Sequence, residues 1–141
     1  MLANVQLPQY LQLPEVQHKD VRGGSISLVK GSTAGFVATA NRKLSSATID
    51  GQPAAPRDDR VISPARSIDA DAKMAIEWRD EFGLQGLAPF EVSITARDDE
   101  APSVACEDLP RQRVVLVSET LNFKVRAQDD FGVKVVGVEW Q

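Results

Sequence analysis

Polar and apolar residues alternate with a period of two along most of this chain, the spacing of strands with one buried face. Pro89 to Ala96 is the clearest case: Phe90, Val92, Ile94 and Ala96 fall on one side, Glu91, Ser93 and Thr95 on the other. Ser25-Ile26-Ser27-Leu28-Val29 alternates in the same way, and Phe36 to Asn41 places Phe36, Ala38 and Ala40 together. Shorter strands are predicted at Ala47-Thr48-Ile49, Arg60-Val61-Ile62-Ser63 and Lys73 to Trp78. In the last, Met74, Ile76 and Trp78 share a side, which marks Trp78 as a core residue. Turn residues punctuate these runs: Gly23-Gly24, Lys30-Gly31-Ser32, the hairpin dipeptide Asp50-Gly51, a polar loop from Gln52 to Asp59, and Asp80-Glu81-Phe82-Gly83-Leu84. No 11-residue window carries apolar 3.6-residue periodicity, so no helix is expected, and Ser67 to Trp78 is the one stretch with room for a helical turn.

The alternation stops at Arg97-Asp98-Asp99-Glu100-Ala101-Pro102 and then resumes in Val104-Ala105-Cys106, Val114 to Val117, Leu121 to Gln128 and Val133 to Trp140. Pro14-Glu15-Val16 and Pro102-Ser103-Val104 lie 88 positions apart (104 − 16), and Phe36 and Phe123 lie 87 apart (123 − 36). That period suits a sandwich of about 100 residues and is too long for a solenoid. The expected architecture is all-β: an extended lead-in over 1–13, an Ig-like antiparallel β-sandwich over 14–98, and an incomplete second Ig-like module over 99–141. The lead-in carries Pro8 and Pro14, which forbid helix and remove backbone donors.

Composition narrows the function. The chain is 43% hydrophobic, enough for a real core, and its net charge of −4 argues against a nucleic-acid partner. No apolar run reaches the roughly 18 residues of a membrane span, so no membrane insertion by this segment is expected. Met1-Leu2-Ala3-Asn4 lacks the pattern of a signal peptide, leaving a soluble piece of a larger protein as the expectation. Cys106 is the only cysteine and His18 the only histidine. No internal disulfide forms, and nucleophile–histidine catalysis would have to use His18. Phosphate-binding and nucleophile-elbow motifs are missing, so the chain reads as no enzyme and needs no cofactor. Cys106 is expected as a half-buried small hydrophobe on a strand.

Three acidic runs fall in predicted loops: Asp80-Glu81, Asp98-Asp99-Glu100 and Asp129-Asp130. They suit either solvated turns or weak calcium binding by clustered carboxylates. The junction Asp98 to Val104, followed by Ala127-Gln128-Asp129-Asp130-Phe131-Gly132-Val133, resembles tandem Ig-like or cadherin-like repeats of large membrane-anchored bacterial envelope proteins. Pro8, Tyr10 and Pro14 resemble the lead-in of such ectodomains. The resemblance implies a periplasmic or extracellular location, and a cadherin-like junction would place calcium ligands at Asp98, Asp99 and Glu100. The function expected is structural, spacing domains or presenting a surface to a protein partner. The alternatives are a carbohydrate- or ligand-binding module and a calcium-stiffened adhesion repeat. Unpaired strand edges in the second module would favour self-association.

Overall fold

The computed structural model describes residues 1–107, 114–116 and 118–139. The chain divides into two compact units, Met1–Asp99 and Glu100–Gln141. The first holds ten strands: β1 Leu2–Gln6, β2 Gln17–Asp20, β3 Ser25–Val29, β4 Ser32–Thr39, β5 Leu44–Ile49, β6 Gln52–Ala54, β7 Arg60–Ile62, β8 Arg66–Ile68, β9 Ala72–Asp80 and β10 Phe90–Arg97. A single 3-10 turn, Gln9–Leu11, joins β1 to β2.

These strands make two five-stranded sheets. One runs β2-β1-β4, with β7 and β8 sharing the far edge of β4. The other runs β3-β10-β9-β5-β6, antiparallel except where β3 lies parallel to β10. Strands such as β1, β4, β9 and β10 bury alternate residues, and the buried faces supply one core. Ala3, Val5, Ala34, Phe36, Val61 and Ile68 come from the first sheet. Leu28, Ile49, Met74, Ile76, Val92 and Ile94 come from the second. Burial of each larger side chain contributes about 1.5–3 kcal/mol.

Local chemistry explains the joints. Asp50 and Gly51 both have positive φ (50° and 75°), as a two-residue type I′ hairpin requires, and Ile49 pairs with Gln52 across it. The Asp50 carboxylate accepts hydrogen bonds from the Ala75 amide at 2.8 Å and from Arg66 at 2.7 Å. Because Arg66 belongs to the opposite sheet, this side chain ties the two layers together. Ser63-Pro64-Ala65 interrupts the edge between β7 and β8, and the Ser63 hydroxyl accepts the Phe36 amide at 2.9 Å in place of a backbone carbonyl.

Three sequence-based expectations are corrected here. Residues 1–13 do more than lead into the sandwich: β1 sits between β2 and β4 with Ala3 and Val5 fully buried. Its prolines lie just past the strand, which left the Leu2–Gln6 alternation free to form a ladder. The stretch Ser67 to Trp78 is not helical but contributes to β8 and β9. Asp71, between them, accepts the Ala96 amide at 2.8 Å, where β10 has outrun its pairing with β9. Trp78 is half-buried rather than core, because it is the last inward residue but one before β9 reaches the rim.

Register also fixes where the chain runs. β1 begins where β4 ends (Leu2 opposite Val37), and β9 ends where β5 begins (Asp80 opposite Leu44). Leu2, the 40–43 turn and the 81–89 loop therefore share one pole, the leading pole, where the Glu81 amide donates to the Lys43 carbonyl at 3.2 Å. β10 runs the other way, so Arg97 emerges at the trailing pole, its carbonyl accepting the Lys30 amide at 2.9 Å.

The second unit contains β11 Ser103–Glu107 and β12 Lys124–Gln128, paired antiparallel with Cys106 opposite Val125. Cys106 is exposed, not half-buried. The expected strand at Val133 to Trp140 has no ladder over its described residues, and residues 108–113, 117, 140 and 141 lie outside the described residues. Lys124 stands 87 positions after Val37 (124 − 37), so β12 follows the end of β4 in the repeat.

Candidate functional site

The most developed surface feature of the first unit is the 81–89 loop, and Asp80 builds it. This carboxylate is buried, with Oδ1 accepting the amides of Phe82 (2.9 Å) and Leu84 (2.8 Å). Its Oδ2 lies 3.5 Å from the Arg42 guanidinium. The Asp80 carbonyl takes the Gly83 amide at 3.1 Å and the Ser45 hydroxyl at 2.7 Å, while its own amide donates to Leu84 O at 2.9 Å. Gly83 has φ +83°, a conformation that would strain any side chain. Arg79 then holds Gln85 by donating to its Oε1 at 2.9 Å.

Behind this turn the chain runs back beside β5 and β9, leaving two hollows that share Trp78, Gln85 and Gly86. One, of about 330 Å³, is walled by Thr48, Glu77, Arg79 and Leu87. The other, of about 290 Å³, is walled by Arg42, Leu44, Asp80 and Leu84. On the outside, Phe82 is 73% exposed, Leu84 60%, and Leu87 wholly so. The arrangement offers an aromatic wall, two guanidinium groups and an amide. One carboxylate lines each hollow, Glu77 the first and Asp80 the second.

The residues singled out from sequence do not gather here. Asp98 pairs with Lys30 Nζ at 2.7 Å, and Asp99 and Glu100 are exposed. Among the described residues no three His, Cys, Asp or Glu side chains converge into a metal-ligand set. His18 Nδ1 donates to Asn4 Oδ1 at 2.8 Å, a cross-strand pair between β1 and β2. The acidic turns at Asp80 and Asp129 do share a construction. Phe131 N donates to Asp129 Oδ2 at 3.2 Å and Gly132 has φ +95°, repeating the Asp-x-Phe-Gly turn that follows β9. That shared spacing was the signal for Asp80. Nothing in the alternation marked Leu84 and Leu87 as exposed.

Comparison with protein-family models, curated proteins and solved structures finds no match for this chain.

Proposed function

We propose that this chain is a non-catalytic structural module of a larger bacterial envelope protein, spacing domains in series outside the cytoplasm and presenting its surface to a protein partner. The observation that carries this reading is polarity. The first unit takes the chain in at one pole and releases it at the other, and a new strand pair starts four residues after Asp99. Connectivity supports an Ig-like sandwich: β4 pairs with β7 and β8, β10-β9-β5 form the facing sheet, and β3 joins β10 in parallel. A load applied between Leu2 and Arg97 acts along the strands, so the β1–β4 ladder breaks in shear with its bonds strained together. Force spectroscopy across residues 2 and 97 tests this. Expected is one abrupt event releasing about 300 Å of chain, at higher force than pulling across residues 54 and 97, which peels the sheet from β6. A gradual low-force extension in both directions would overturn the reading.

A second reading, a binding module for cell-wall polysaccharide, is favoured by Trp78, which lines both hollows. In a Trp140→Phe background, titration with oligosaccharide fragments of cell wall would shift the Trp78 emission. An unchanged spectrum at millimolar ligand rejects it.

A further inference from the structure

We propose that Asp50–Gly51 is a site of spontaneous aspartate isomerisation that the fold holds closed through Arg66 and the Ala75 amide, a property independent of the spacer role. It is the only step in the sequence where Asp or Asn precedes Gly. Both residues are exposed at the turn of the β5–β6 hairpin, and nothing stands within 4 Å of where a Gly51 Cβ would lie. With no side chain to shield it, the Gly51 nitrogen has access to the side-chain carboxyl carbon of Asp50. In the reaction a C–N bond forms there, the carboxyl hydroxyl leaves with the amide hydrogen as water, and a cyclic imide results. Water then opens the ring at the old backbone carbonyl, breaking the original peptide bond and leaving isoaspartate. No co-reactant other than water is needed.

The attack requires a neutral carboxyl that is free to turn toward its own C-terminal neighbour. Neither condition is met in the folded chain. Oδ1 accepts the Ala75 amide on β9 at 2.8 Å and Oδ2 accepts Arg66 on β8 at 2.7 Å, so both oxygens are held by other strands. The Asp50 amide also donates to the Ala75 carbonyl at 2.8 Å, gripping the same residue from the main chain. Burial opposes ionisation, but the Ala75 amide and the Arg66 guanidinium outweigh it and keep the carboxyl in its ionised, unreactive form. Isoaspartate would add one carbon to the main chain between Ile49 and Gln52, which pair directly across the turn. The hairpin and the Arg66 bridge to the other sheet would be lost together.

The test is prolonged incubation of the full chain in mildly acidic buffer at physiological temperature, beside an Arg66→Gln variant and the free peptide 44–57. Trypsin releases that same peptide, bounded by Lys43 and Arg57, from both proteins, and isoaspartate appears in it as a chromatographic isomer of unchanged mass. Expected is isomerisation at least ~10-fold slower in the native chain than in the free peptide, since a charge-assisted bond must break first. Arg66→Gln should react several-fold faster than the native chain. A Val61→Ala variant, which removes core packing on β7 and leaves Arg66 in place, should stay at the native rate and so separates Arg66 from a general loss of stability. Equal rates in the native chain and the free peptide, equal rates in the native chain and Arg66→Gln, or equal acceleration in Val61→Ala and Arg66→Gln would each overturn the inference.

Discussion

Asp50 shows how much one side chain fixes in this fold. It accepts the left-handed backbone of a type I′ turn, closes the β5–β6 hairpin, receives the Ala75 amide and reaches Arg66 on the opposite sheet. Burial alone would raise its pKa, but the Ala75 amide and the Arg66 guanidinium outweigh that and hold the carboxyl below its ordinary range. A depressed folded pKa contributes stability above about pH 3.9, the unfolded value, and that contribution is lost as pH falls through the folded pKa. Asp50→Asn keeps the turn conformation and one acceptor, and should cost about 0.5–1 kcal/mol at pH 7. Asp50→Ala loses both bonds and must adopt positive φ, and should cost about 2–3 kcal/mol, an amount already reduced for the solvent that screens this half-exposed pair. Urea midpoints between about pH 5 and 2 should fall less steeply for the Asn variant than for the parent. Identical slopes would remove Asp50 from the acid response.

At the scale of elements, β1 carries the sharpest consequence. It buries Ala3, Val5 and, just beyond its end, Leu7, and it covers the edge of β4. Removing residues 1–13 strips two strand-lengths of hydrogen bonding from the first sheet, because β2 pairs only with β1. Residues 14–99 should therefore show no cooperative urea transition by circular dichroism, and a sigmoidal transition close to that of the longer chain would contradict the strand's role.

The strands themselves were legible where alternation was clean, as in β3, β9 and β10, because period two is the direct imprint of a half-buried pleat. β1 was hidden by Pro8 and Pro14, whose effect on the chain reaches only their immediate neighbours. Strand partners were not legible at all. The match of Pro14-Glu15-Val16 to Pro102-Ser103-Val104 reads local turn chemistry, whereas pairing depends on contacts distant in sequence. The apolar loop escaped for the same reason: Leu84 and Leu87 look like core residues until the fold shows them outside it. Asp80, by contrast, was marked by its spacing to Phe82 and Gly83, and the same spacing at Asp129 produced the same turn.

At the scale of the whole molecule, the first unit is a compact β-sandwich with Leu2 and Arg97 at opposite poles. At its trailing pole Asp98 pairs with Lys30. The most direct measurement is equilibrium urea unfolding of residues 1–99 followed by Trp78 fluorescence, beside the full chain in a Trp140→Phe background. A self-contained unit of this size unfolds in two states. Its midpoint should agree with that of the full chain to within about 0.5 kcal/mol of stability, the range within which independent, non-contacting parts behave additively. A broad or absent transition for residues 1–99, or a midpoint that collapses once residues 100–141 are removed, would contradict the account.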